Sequence, residues 1–210
     1  MAIRAVVFDF GMVFSGPPDA QAHAELVRIT GLTPERFESY YWTDRHAYDE
    51  GKLTGIQLWQ KIVRDANLTL PPSAIEELNR WDARMWTTVD PAMLAWQRKL
   101  KERGVLTAIL SNIGDSVLES LQREFAWLPD FNVLVWSYQL GFAKPDPAIY
   151  RHVLKQLGTA AEETLFIDDK QENVEAARAV GMKALVYTTF AQLRYELLDQ
   201  SFSPGLPLPD

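Results

Sequence analysis

Five short apolar runs, at residues 5–8, 106–110, 133–136, 165–167 and 184–186, alternate with segments whose apolar residues recur at helical spacing. Runs such as Ala5-Val6-Val7-Phe8 show no polar alternation, as expected of strands covered on both faces. The intervening segments set Met93, Trp96 and Leu100, then Val117, Leu118 and Leu121, then Ile149, Val153, Leu154 and Leu157, then Val174 and Ala177, on single helical faces. Strand followed by helix, repeated, predicts an α/β fold: a doubly wound parallel sheet between two helical layers. Asp90-Pro91 and Asp146-Pro147 supply helix starts, and Gly104, Gly158 and Gly181 supply stops, where this pattern needs them.

The alternation breaks once. From about Ser15 to Trp86 only helical patterns occur, such as Ile56, Trp59, Ile62 and Val63, with Thr33-Pro34-Glu35 as a helix start. The expected organisation is therefore an α/β core at 1–15 and 87–200, with a helical cap at 16–86 inserted after the first strand. A final helix is expected around residues 190–198. The tail, 201–210, carries three prolines and a glycine and is expected to be irregular. A chain of 210 residues suits one such core plus an insertion.

A formal net charge of -7 argues against broad attraction to nucleic acid or to an anionic membrane, since both are bound chiefly through basic surface. No apolar run approaches the roughly 20 residues of a membrane span. The first residues lack the pattern of a secretory signal, and cysteine is absent, which removes disulfides, thiolate metal cages and a cysteine nucleophile. A soluble, cytoplasmic protein with a small-molecule partner is the expectation.

Polar clusters stand directly after the apolar runs or in the loops beyond them: Asp9-Phe10-Gly11, Ser111-Asn112, Lys144-Pro145 and Asp168-Asp169. Singly, each has an ordinary reading as a helix cap, a turn or a solvated helix start. Jointly they mean more, because the carboxyl ends of strands in a doubly wound sheet converge on a ligand crevice. Carboxylates brought together are costly unless a cation lies among them, and an all-oxygen site suits Mg2+. Asp9, Asp168 and Asp169 are candidate ligands. Lys144 and Ser111 would hold phosphoryl oxygens by hydrogen bonds.

The ordered segments Phe8-Asp9-Phe10-Gly11-Met12-Val13, Leu110-Ser111-Asn112, Gly141-Phe142-Ala143-Lys144-Pro145-Asp146 and Phe166-Ile167-Asp168-Asp169 resemble the four motifs of the haloacid dehalogenase-like hydrolases. The resemblance implies a Rossmann-like core with a helical cap. It also implies an Mg2+-dependent phosphatase in which Asp9 forms an aspartyl-phosphate that water hydrolyses. Ser111 and Lys144 match the phosphate-holding positions, with Asn112 beside them, and Asp168 matches a metal ligand with Asp169 next to it. Gly11 stands where most phosphatases of that superfamily carry an acid/base aspartate; its backbone carbonyl remains available to the metal. An Asp-x-Gly motif is similar to one in the glucose-1-phosphate phosphatase branch, and the segment from Tyr48 to Lys52 is similar to a cap segment of sugar-phosphate phosphatases.

The missing proton would then come from the cap, where Asp44, His46 and Asp49 are candidates. Trp42 and Arg45 are candidate substrate contacts, one by stacking and the other by pairing with a hydroxyl or an anion. The expected substrate is a small phosphate ester, with a sugar phosphate as one possibility. Two other readings stand beside it: metal-independent dehalogenation, and phosphate-ligand binding without turnover.

Overall fold

A computed structural model describes residues 2–199 and 205–209. Strands β1 (Ala5–Phe8), β2 (Leu106–Ser111), β3 (Val133–Trp136), β4 (Thr164–Asp168) and β5 (Lys183–Val186) form a parallel sheet in the order β3-β2-β1-β4-β5. The chain winds outward from β1 to β3, then returns to the other side of β1 for β4 and β5. The direction of winding reverses between β1 and β4, and a crevice opens at the carboxyl ends of strands at such a point. Asp9 follows β1 directly and Asp168 ends β4, so two of the acids flank this position.

Between β1 and β2 lie α1 (Ala20–Thr30), α2 (Pro34–Thr43), α3 (Arg45–Asp49), α4 (Gly55–Asp65) and α5 (Pro72–Met85). The later helices are α6 (Pro91–Glu102), α7 (Asp115–Glu124), α8 (Ser137–Leu140), α9 (Pro147–Leu157), α10 (Gln171–Ala179) and α11 (Phe190–Leu197). Successive strand residues point to opposite faces. Val6 and Phe8 accordingly pack with Trp96 of α6, Leu121 of α7 and Leu193 of α11. Ala5 and Val7 pack on the other face with Ile149 and Val153 of α9 and Val174 of α10. Every residue of β1 is fully buried, which is why the sequence shows no alternation there.

The helices between β1 and β2 share a separate apolar cluster that includes Leu26, Phe37, Tyr41, Trp59, Ile62 and Leu78. Their starts follow capping chemistry: Thr33 accepts from the Arg36 amide, and Thr54 and Gln57 cap each other reciprocally. The two chain crossings run side by side, with the Asp19 amide donating to the Met85 carbonyl at 2.9 Å and the Asp90 amide to the Phe14 carbonyl at 3.0 Å. The insertion also seats on the loop after β2. Tyr48 lies so close to Gly114 that a Cβ there would come within 2.0 Å of its ring. The Gly55 amide donates to Asp115 Oδ1 at 2.9 Å.

In the tail, the described residues 205–209 hold no helix or strand, but they are docked. Leu206 is buried, Trp96 Nε1 donates to the Pro207 carbonyl at 2.8 Å, and Arg194 Nε donates to the Pro209 carbonyl at 3.0 Å. Residues 201–204 and 210 of the expected tail, and residue 200 before it, lie outside the described residues. Among the described residues no helix is long and apolar enough to cross a membrane.

Candidate active site

After β1 the backbone makes one more sheet bond, from the Asp9 amide to the Ile167 carbonyl at 2.8 Å, and then turns sharply. The turn is closed by the Ser15 amide donating to the Phe10 carbonyl at 2.7 Å and the Met12 amide donating to Ser15 Oγ at 3.0 Å. These bonds offset the cost of Met12 at φ 60°, a left-handed conformation worth roughly 1–2 kcal/mol against a side chain. Gly11 is different. Its φ of -61° and ψ of 135° suit any residue, and an added Cβ would come no nearer than 4.0 Å to Trp86. Neither backbone nor packing requires glycine at that position.

Asp9, Asp168 and Asp169 each offer an oxygen within 4.8 Å of the others. The Lys144 ammonium, 2% exposed as a residue, lies 2.8 Å from Asp9 Oδ1 and 2.6 Å from Asp168 Oδ2. Asp9 Oδ1 also accepts from the Phe10 amide at 2.7 Å, and neither contact uses Oδ2. Asp168 is braced further by the Lys170 amide at 2.8 Å and by Asn173 Nδ2 at 3.0 and 3.1 Å. Asn112, expected to touch substrate, has its amide engaged elsewhere. Its Oδ1 accepts from the Lys144 amide and its Nδ2 donates to the Lys144 carbonyl, both at 2.8 Å, which fixes the turn that aims the lysine. Ser111, buried at the end of β2, lines the same cleft.

The charges are out of balance: three carboxylates face the Lys144 ammonium, and Lys170, which also lines the cleft, adds a second positive charge beside Asp169. Burial, only partly offset by Lys144 and reinforced by Asp168, pushes the Asp9 carboxyl up to about 7. Burial and the neighbouring Asp168 charge raise Asp169 as well. Burial works in the same direction on Asp168, yet Lys144, the Lys170 amide and Asn173 outweigh it and hold that carboxyl below its ordinary value. Burial alone would lower Lys144, but Asp168 and Asp9 outweigh it and hold the ammonium charged. A clustered, all-oxygen donor set short of positive charge fits a small divalent cation.

This fit carries a sign. A raised carboxyl in the folded state means that metal-free protein loses stability as pH climbs from the unfolded carboxylate value through about 7. A cation binds the ionised cluster, so its stabilising effect grows over the same window. Saturating Mg2+ at a hundredfold its Kd is expected to add about 2.7 kcal/mol, roughly 5–10 °C in Tm, at pH 8, and clearly less at pH 5.5. Thermal melts with and without Mg2+ check this, and an equal shift at both pH values would remove the cation from these acids.

The cleft over Asp9 has a volume of about 360 Å³, within the range of small-molecule sites. Its outer wall is largely apolar, formed by Phe10, Met12, Pro18, Trp42, Trp86, Ile113 and Val117. Trp42 is half exposed, and its Nε1 donates to Glu38 at 2.7 Å, which fixes the ring edge-on to Trp86. Arg45 lines the cleft too, but its guanidinium is buried and taken up by Asp82 Oδ1 at 3.0 Å, Asp49 Oδ1 at 3.3 Å and the Tyr41 hydroxyl. The expected pairing of Arg45 with a substrate hydroxyl or anion thus meets an arginine already fully engaged. Asp44 pairs with Lys61 at 2.8 Å, His46 is exposed beside Glu50, and neither lines the cleft; Asp49 does.

The haloacid dehalogenase-like hydrolase profile matches residues 3–181, nearly the whole sheet and insertion. The chain belongs to that family. As a haloacid dehalogenase-like hydrolase it is 31% identical over 187 residues to a sesquiterpene phosphatase of Aspergillus oryzae, covering 88% of this chain and 90% of the relative. It is 30% identical over 200 residues to a phosphatase of Mycobacterium tuberculosis, covering 92% and 91%. Among solved structures, a family enzyme of Bacteroides thetaiotaomicron crystallised with magnesium and inorganic phosphate superposes with a TM-score of 0.74. It is 20% identical, and the match covers 89% of this chain and 95% of that one, which establishes the shared fold. The resemblance read from the four motifs thus holds for family and fold; nothing in these relatives singles out the glucose-1-phosphate phosphatase branch.

Proposed function

We propose that this hydrolase is an Mg2+-dependent phosphomonoesterase acting on small esters, with Asp9 as the nucleophile. The observation that carries the reading is the Lys144 ammonium held at once by Asp9 at 2.8 Å and Asp168 at 2.6 Å, with Asp169 completing the acidic cluster. Asp9 Oδ2, outside the contacts to Phe10 and Lys144, attacks phosphorus. The Ser111 hydroxyl and Lys144 hold equatorial phosphoryl oxygens, and Asn112 keeps Lys144 in position. Asp9, Asp168, Asp169 and the Gly11 carbonyl are the groups that would hold Mg2+. Bound there, the ion neutralises phosphate charge and eases its approach to an anionic nucleophile.

The helices between β1 and β2 act as a cap, excluding water and limiting the substrate to small molecules. The cap-side wall favours an apolar organic group over a sugar. Trp42, Trp86 and Met12 offer contact area, while Arg45, the strongest donor there, is committed to Asp82. The likeness to a sesquiterpene phosphatase supports the same reading. Dehalogenation at carbon has no use for a cation, and it leaves the three-acid cluster without a purpose.

Orthophosphate release from a prenyl phosphate, an aryl phosphate and glucose 6-phosphate, each with Mg2+ or with EDTA, tests this. The expected result is Mg2+-dependent release, lost on chelation, with the apolar esters preferred by about tenfold or more in kcat/KM, the worth of one or two buried methylenes. Chelator-insensitive turnover, or halide release from a 2-haloacid, would replace it with the dehalogenase reading. Phosphate binding without release from any ester would leave a ligand-binding protein.

A further inference from the structure

Breaking a phosphate ester leaves an alkoxide that needs a proton, and the water that completes turnover must give one up. Gly11 has no side chain to do either. Among the described residues lining the cleft, the carboxyl groups are those of Asp9, Asp169 and Asp49, and no histidine lines it. Asp9 and Asp169 belong to the cation cluster; Asp49 stands apart from it.

Asp49 is tied to the phosphate end of the site through one hydroxyl. Ser137 Oγ donates to the Asp49 carbonyl at 2.5 Å and accepts from the Ile113 amide at 2.9 Å, two residues beyond Ser111. The turn after α3 lies flat on α8, since a Cβ on Gly51 would come within 2.7 Å of the Tyr138 carbonyl. The Asp49 side chain is 15% exposed, with Oδ1 at 3.3 Å from Arg45 Nε, and that arginine is itself anchored by Asp82 at 3.0 Å. The charged groups acting on it are Arg45 on its own helix, Asp82 from α5 and Lys170 from the turn after β4. Burial raises its carboxyl above the ordinary value, with Arg45 and Lys170 opposing and Asp82 adding. A carboxyl shifted this way holds a proton closer to neutral pH, as a general acid must.

We propose that Asp49 is the proton-transfer group of this site, protonating the leaving ester oxygen and later deprotonating the attacking water. The inference rests on the phosphomonoesterase reading. In the first step the bond from Asp9 to phosphorus forms, the ester P–O bond breaks, and the departing electron pair takes the Asp49 proton. In the second, water adds to phosphorus while its proton passes to the Asp49 carboxylate. The Asp9–phosphorus bond breaks, and orthophosphate leaves.

The test compares hexyl phosphate, whose alkoxide needs a proton, with p-nitrophenyl phosphate, whose phenolate leaves unaided, at saturating Mg2+. In Asp49→Asn, kcat/KM for hexyl phosphate is expected to fall about 10²- to 10⁴-fold, and for p-nitrophenyl phosphate by less than about tenfold. A burst of p-nitrophenolate followed by slow turnover is also expected, because the phosphorylated Asp9 now waits for its water to be activated. Asp49→Glu should restore part of the hexyl phosphate rate. If the Asn variant does not fold, judged by its thermal melt, Asp49→Ser is read the same way. Equal losses on both esters without a burst, or no loss on either, would overturn the role. A wild-type protein that releases phosphate from neither ester would instead reject the phosphomonoesterase reading itself.

Discussion

Asp9→Asn is expected to lower phosphate release by at least about 10⁴-fold, the scale of losing a covalent nucleophile, while the fold survives. The substitution keeps the shape of the side chain and the oxygen that accepts from the Phe10 amide at 2.7 Å. It removes a carboxylate that burial and the Asp168 charge make costly to ionise, so the cluster changes from two acids around Lys144 to one. The melting temperature of the metal-free variant at pH 8 should therefore stay level or rise. Full turnover in Mg2+ by a homogeneous Asn variant would end the nucleophile assignment, whatever the geometry of the remaining acids. Lost turnover with a collapsed melting curve would point instead to a structural carboxylate.

The sheet was legible because burial on both faces leaves a plain mark. The runs at 5–8 and 133–136 coincide with β1 and β3, and the parallel pairing follows from strand–helix alternation, while the order β3-β2-β1-β4-β5 is visible only in the fold. Asp9 and Asp168 were legible because they sit at strand ends, where local sequence and position in the sheet are coupled, and Lys144 because its loop follows β3 and α8 on the same side of the sheet. Arg45 was not. Beside Trp42 it reads as a candidate substrate contact, and only the fold brings Asp82, 37 residues away, to bury it. The amide of Asn112 likewise turned out to clamp the Lys144 backbone 32 residues on, a tertiary bond with no signature in spacing.

The same limit explains the cap acids. Asp44, His46 and Asp49 are equivalent on paper, since all lie within or beside one five-residue helix, α3. What separates them is docking: with Tyr48 against Gly114 and the Asp49 carbonyl against Ser137, Asp49 alone of the three lines the cleft. Such contacts join surfaces more than sixty residues apart in sequence. Gly11 points the other way. A glycine that neither φ nor packing requires is legible as a chemical departure and not as a structural need.

Lys144→Met is expected to be the most destabilising change in the site, and its pH dependence gives the reason. Removing the ammonium leaves Asp9 and Asp168 buried without a counter-charge, a loss of about 3–5 kcal/mol when both are ionised, or roughly 10 °C in Tm. Without Lys144 both folded-state carboxyls rise, so the variant's stability is retained at low pH and lost as pH climbs through their raised values. The deficit against wild type should be largest near pH 8 and shrink by pH 5. Mg2+ supplies part of the missing charge and should recover several degrees at pH 8. Turnover should nonetheless remain about 10²- to 10³-fold down, because a cation among the acids does not replace a donor to the phosphoryl oxygen. Thermal melts across that pH range, read beside steady-state rates in the same buffers, separate the two roles. A deficit independent of pH would mean that Lys144 acts through packing and not through its charge.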